Sequence, residues 1–259
     1  MDLTFFSIVT VCLLCGLAAF IDSIAGGGGL ISLPAYLMIG LPAQFAAGSN
    51  KFSACIGSSV AIARFAKSGK IQWSQALVGM SGALIGSFAG TSLAIWLPEH
   101  LLKLAIVGAL PFVAVFLFLK KMPKDAELAE SPLPFWKSTF ISLIIGLIFG
   151  AYDGLVGPGT GTFIILASIA LLHIDMVTAS ANAKVINFAS NISSLAVFAY
   201  HGNVVLRVAL PAAVFTIIGN FLGVKYCLKY GSKGVRKMLF IVLALLFTKL
   251  IIDLCSYIP

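Results

Sequence analysis

The sequence predicts an all-α integral membrane protein: two inverted-topology repeats of about five transmembrane elements each, with helices broken at glycine-rich stretches. Three observations predict it. The first is composition. The 259 residues are 60% hydrophobic and 10% charged, with a mean hydropathy of +1.07, where soluble domains carry about 25% charged residues. So few polar residues cannot cover a water-soluble core, but they suit helices solvated by lipid. The second observation is internal repetition, and the third is where the basic residues fall.

Apolar runs lie near residues 3–21, 29–40, 52–66, 73–97, 101–119, 135–152, 162–172, 185–200, 204–228 and 235–256. The first has no basic segment before it and reads as a membrane helix, not a cleaved signal. Its C-x-x-C, Cys12 and Cys15, suits helix packing better than redox chemistry. The runs at 29–40 and 162–172 are shorter than the roughly 20 residues a helix needs to cross hydrocarbon. Each directly follows a glycine-rich break. The polar stretch from Lys120 to Lys137 divides the chain into a first repeat (1–119), a cytoplasmic linker (120–137) and a second repeat (138–259).

The two sides look like one unit written twice. "GSFAG" at Gly86 matches "GNFLG" at Gly219, "SGKI" at Ser68 matches "HGNV" at His201, and Lys51 falls opposite Lys184. All three pairs share an offset of 133 residues (219−86, 201−68, 184−51). Asp22 and Asp153, each before a glycine cluster, align at 131 (153−22).

Basic clusters at Arg64, Lys67 and Lys70, at Lys120, Lys121 and Lys124, and at Lys225, Lys229, Lys233, Arg236 and Lys237 mark cytoplasmic loops under the positive-inside rule. The repeat partners of the first and third clusters, near His201–Arg207 and Pro98–Lys103, carry little charge. Equivalent loops then lie on opposite sides of the membrane. That is an inverted repeat, and it requires an odd number of crossings per half. Five works if each short run crosses, and both termini are then periplasmic or extracellular. The net charge of +8 is explained by these clusters, and no nucleic-acid motif accompanies it.

A glycine run deep in a membrane frees backbone N–H groups that lipid cannot satisfy, so it belongs beside protein or a watery cavity. Inverted repeats with broken helices place a substrate near the midplane, where half-helix ends point at it. "AGGGGL" supplies Gly26, Gly27, Gly28 and Gly29, and the helix that follows would aim its positive end at a bound anion. "GPGTGT" repeats the device with Gly157, Gly159, Thr160 and Gly161. Neither run matches a nucleotide-binding loop. Gly82, Gly86, Gly90, Gly219 and Gly223, spaced by four, read instead as helix-packing positions.

Intramembrane ionisable residues are costly and default to function. Here they are Asp22, Lys51, Asp153 and Lys184. Lys184, Asn187 and Asn191 share one helical face, offering a cation and two amides to an oxyanion. The corresponding face in the first half carries Lys51, Ala54 and Ser58. The lysines could instead snorkel to headgroups. Asp22 and Asp153 could cap the half-helices, pair with a lysine, or carry a coupling proton. No nucleophile–base pair appears, and His100, His173 and His201 fall in predicted loops without metal-ligand spacing. The reading is therefore a non-enzymatic secondary transporter of a small anion in the lipid bilayer. It would need no cofactor or metal and would work by alternating access. An anion channel and a membrane-embedded enzyme are the alternatives.

The stretches Ile21–Phe52, Gly150–Phe163 and Ala179–Phe198 resemble the TauE/SafE family of sulfite exporters, also called toluene-sulfonate uptake permeases, and within it the YfcA-like branch. The resemblance covers nearly the whole chain. It implies a bacterial inner-membrane transporter and a sulfur-containing oxyanion or organosulfonate as cargo.

Overall fold

A computed structural model of the chain describes residues 4–98 and 133–257, and every regular element among them is an α-helix. The first half contributes α1 (Phe5–Ala25), α2 (Gly29–Met38), α3 (Ala43–Lys67) and α4 (Trp73–Trp96). The second contributes α5 (Phe135–Leu155), α6 (Thr160–Leu172), α7 (Met176–Tyr200) and α8 (Leu206–Tyr257). The boundaries recur at the offset read from the motifs. Both ends of α3 and α7 differ by 133 residues (176−43, 200−67), and so do the starts of α4 and α8 (206−73).

The helices divide by polarity. α1, α4, α5 and the Leu206–Leu245 part of α8 are long and apolar enough to cross a membrane. The protein is a multi-pass membrane protein. α2 and α6, with 10 and 13 residues, are the two short elements expected after the glycine breaks. α3 and α7 are long enough at 25 residues each, but they are too polar to face lipid. They run through the interior instead, and 19 of the 25 residues of α7 are buried.

The runs expected at 204–228 and 235–256 form one helical stretch, α8, interrupted at Gly231 (φ 56°, ψ −149°). A left-handed φ suits glycine, so the turn of direction falls there. The run expected at 101–119 and most of the linker lie outside the described residues. α5 begins at Phe135, inside the span assigned to the linker.

Small residues bring the outer helices into backbone contact. A Cβ on Gly82 would lie 2.4 Å from Leu143 O, on Gly86 2.1 Å from Leu147 O, and on Gly90 2.1 Å from Ala151 O. These contacts advance together along α4 and α5, so the two run parallel. α8 meets α1 in the same way, with Gly219 against Gly16 O and Gly223 against Phe20 O and Ser23 Oγ. Close approach of this kind drives helix association where no hydrophobic effect operates. The other faces of these helices are apolar and exposed, as at Leu13, Ile85, Phe88, Phe140, Leu210 and Ile218, which suits lipid contact. Trp96 and Trp136 stand exposed at helix ends, where an aromatic belt belongs.

The interior has two unlike ends. Around the C-terminus of α3 and the N-terminus of α7, a core packs Phe65, Ile71, Phe163, Ile169, Met176 and Leu239. Around the N-terminus of α3 and the C-termini of α4, α5 and α7 lies a cavity. α6 belongs to the core end, with 11 of its 13 residues buried, whereas α2 borders the cavity.

Gly86→Val should lower thermal stability in detergent, by about 1–3 kcal/mol for forced overpacking, because its Cβ would overlap Leu147 O. Ile85→Ala, on the neighbouring lipid-facing position, should leave the melting temperature nearly unchanged.

Candidate functional site

The two glycine breaks meet. Gly26 and Gly27 (φ 72° and 80°) and Gly157 and Gly159 (φ 93° and 87°) adopt left-handed conformations that favour glycine. A Cβ on Gly26 would lie 2.1 Å from Thr162 N, and one on Gly161 would lie 2.8 Å from Gly26 Cα. The main chains therefore cross in contact. Thr162 Oγ1 ties the crossing by donating to Ala25 O at 2.9 Å. Tyr152 OH donates to Pro158 O at 2.8 Å, and Thr160 Oγ1 donates to Gly157 O at 2.7 Å, fixing the second turn.

The crossing forms one wall of the cavity, whose volume is about 380 Å³. Gly27, Gly28 and Gly29 line it from one side, and Gly157, Gly159, Thr160 and Gly161 from the other. Among the described residues, no protein acceptor pairs with the backbone N–H of Gly27, Gly29, Gly159 or Gly161. The N-termini of α2 and α6 thus converge on one hollow with donors to spare. A helix N-terminus also carries about half a positive charge.

The ionisable residues pair across the halves. Lys51 Nζ lies 2.6 Å from Asp153 Oδ2, and Ser190 Oγ donates to the same carboxylate oxygen. Lys184 Nζ pairs with Asp22 Oδ2. The lysine of each half therefore takes the aspartate of the other. Asp22 also caps the first break, since its Oδ1 accepts Gly28 N at 2.9 Å. Lys51, Asp153 and Lys184 are 6%, 4% and 3% exposed. Burial at that level demands such partners, because an unpaired charge in low dielectric is costly.

Of the residues expected at the site, Lys51, Asp22, Asp153, Asn187 and Asn191 line the cavity together with the glycines. Lys184 does not, because its ammonium turns to Asp22 behind the wall. Gly26 does not either; it serves the chain crossing. Asn191 Nδ2 donates to Asn187 Oδ1 at 3.0 Å, leaving the Asn187 amide N–H groups without a protein acceptor among the described residues. Ala54 and Ser58 line the cavity one and two turns beyond Lys51. His173 and His201 sit at helix C-termini, away from the cavity. Cys12 and Cys15 are free and buried, packed near Tyr36 and Ala212.

Sequence reasoning missed Asn50, Ser53, Thr216 and Asn220, which also line the cavity. Thr216 Oγ1 donates to Ser53 O at 2.8 Å, joining α8 to α3. Asn220 lay hidden inside "GNFLG", where the glycines drew attention to packing. Its i, i+4 relation to Thr216 was the available signal.

The sulfite exporter TauE/SafE family matches residues 11–250. The chain belongs to this family. Curated relatives extend over nearly the full length. A protein of Sinorhizobium, "Probable membrane transporter protein ORF9", is 33% identical over 97% of this chain and 95% of its own. One of Haemophilus influenzae, "Probable membrane transporter protein", is 34% identical over 91% of each chain. "Probable membrane transporter protein YfcA" of Escherichia coli K12 is 33% identical over 92% of this chain and 87% of its own. No solved structure matches the chain.

Removing one partner of the Lys51–Asp153 pair should cost about 3–5 kcal/mol, and removing both much less, because the single change strands a buried charge. Denaturation midpoints of Lys51→Met, Asp153→Leu and the double variant in detergent, read as a double-mutant cycle, check this.

Proposed function

We propose that this protein is a secondary transporter of a small oxyanion, working by alternating access around the cavity where the two glycine breaks meet. The observation that carries the reading is the convergence of two half-helix N-termini, with unpartnered backbone donors, on one hollow inside a membrane protein. Backbone donors inside a membrane protein are expensive without acceptors, so their concentration calls for an acceptor that arrives and leaves. An oxyanion is that acceptor, and the free amide of Asn187 adds a side-chain donor. The family's description and the names of its relatives support transport over catalysis. The family's sulfite-exporter description supports a sulfur-containing oxyanion or an organosulfonate as cargo.

The halves act as inverted repeats in this proposal. α3 and α4 are joined by a tight turn at Ser68–Gln72 and run antiparallel. α4 runs parallel to α5 and also to α7, where Ser87 meets Ser190 and Thr91 meets Ser194. α8 runs parallel to α1, and to α3 through Ser53–Thr216 and Gly57–Asn220. Equivalent helices therefore point in opposite directions, which supports the assignment made from loop charge. With the basic turn after α3 in the cytoplasm, the cavity end faces outside and the Phe65–Met176 core closes the inner side. Exchange of the surroundings of α2 and α6 would open the other side. The termini lie outside the inner membrane in this arrangement. A negative interior favours anion efflux by about 2.3 kcal/mol per charge per 100 mV, so export is the favoured direction.

Proteoliposomes holding the purified protein should show saturable, counter-exchanging flux of at least one of sulfite, methanesulfonate and small carboxylates. Asn187→Leu should reduce that flux about tenfold or more, the scale of one lost hydrogen bond to a charged group. Flux that neither saturates nor counter-exchanges would indicate a channel, and absence of any flux would remove the transport assignment.

A further inference from the structure

The charges around the cavity, counted together, constrain what can enter. Among the described residues, the ionisable groups on or directly behind its wall are Asp22, Lys51, Asp153 and Lys184. Two cations and two anions sum to zero. Nor is either lysine at liberty: Lys51 sits 2.6 Å from Asp153 Oδ2, and Lys184 is held by Asp22 behind the wall. From the centre of the hollow each pair presents a dipole instead of a charge. What remains positive is the pair of helix N-termini, each equivalent to roughly half a charge, or about one in total. Both helices are long enough to develop that field, at 10 and 13 residues. The unpartnered amide of Asn187, itself 8% exposed, adds a neutral donor directed at the same space.

We infer that the cavity accepts a singly charged oxyanion and rejects a doubly charged one of the same size, and that Asp153 sets this limit by cancelling the charge of Lys51. The inference rests on the transport reading above and narrows its substrate class. A monoanion is balanced by the two helix ends. A dianion brings one further negative charge into a site walled by protein inside the membrane-spanning body, with no free cation among the described residues to meet it, and Coulomb interactions there are several times stronger than in bulk water. Replacing Asp153 with a neutral isostere leaves Lys51 facing the hollow and raises the local charge by one. The second negative charge then has a partner. Replacing both members of the pair returns the sum to zero.

Methanesulfonate and sulfate are the probes, because they are nearly equal in size and differ by one fixed charge. Flux of each is measured in proteoliposomes for the wild type, for Asp153→Asn and for the double variant Lys51→Gln with Asp153→Asn. The wild type should carry methanesulfonate at least about tenfold faster than sulfate, the discrimination expected of one unbalanced charge. Asp153→Asn should shrink that ratio several-fold, and the double variant should restore it. Thermal stabilisation of the detergent-solubilised wild type by methanesulfonate but not by sulfate gives a second readout that needs no variant. Equal wild-type rates, or a ratio unmoved by Asp153→Asn in a folded protein, would overturn the inference while leaving anion transport intact. If Asp153→Asn does not fold, the wild-type and double-variant ratios decide, and loss of discrimination in the double variant overturns the role of charge. Absence of flux for every anion tested overturns the transport reading itself.

Discussion

Hydrocarbon offers a peptide group nothing to bond with, and the rest of this structure follows from that fact. Two helices stop and restart within the membrane-spanning body, and each stop releases backbone groups that lipid would leave stranded. The fold brings the two stops together. Gly26 and Gly161 remove the side chains that would hold the two main chains apart. Thr162 satisfies Ala25 O, and the Asp22 carboxylate satisfies Gly28 N. The donors left over belong to residues that line a common hollow. Burying both breaks in protein then requires further helices packed about them, which α1 with α8 and α4 with α5 supply as two pairs.

Those two pairs explain the odd composition of the two central helices. α3 and α7 carry lysines, asparagines and serines through the middle of the protein. They can do so because α4 and α5, and α1 and α8, close around them through glycine contacts. Ser87, Thr91, Ser190 and Ser194 show the same logic on a smaller scale. The hydroxyls of Ser87, Thr91 and Ser194 bond one another across α4 and α7, Ser87 Oγ also donates to Ser190 O, and Ser190 Oγ donates to Asp153, so polar groups far from water are still satisfied. Where packing turns apolar, around Phe65, Phe163 and Met176, the interior is filled. Where it stays polar, around Lys51 and Asn187, space remains.

Much of this was legible in the chain. Period and composition marked the helices, because lipid exposure leaves a plain apolar signature. The 133-residue offset appeared in the motifs and again in the bounds of α3 and α7. Gly82, Gly86 and Gly90 announced close packing through their four-residue spacing. The glycine runs and the four ionisable residues pointed to the breaks. The partner of each ion was harder to see, since pairing of Lys51 with Asp153 depends on how two distant segments cross. Capping and ion pairing had been separate alternatives for Asp22, and one carboxylate does both with its two oxygens. Asn220 was obscured because a single helix face can pack at one residue and line a cavity at the next. The place of Gly26 was hard to see for a related reason: a glycine in a block can serve a backbone crossing without lining the space beside it.

The exchanged ion pairs also bear on how the molecule is made. Lys51 leaves the ribosome 102 residues before Asp153, and Asp22 leaves 162 residues before Lys184. While the first half is being threaded into the bilayer, its acid and its amine have no permanent counterions. They must be sheltered by the insertion machinery, by water, or by each other until the second half arrives. Completion of the chain is then the event that locks both halves at once. A half synthesised alone would keep a charge that no lipid can accept, and this makes it a natural target for membrane quality control.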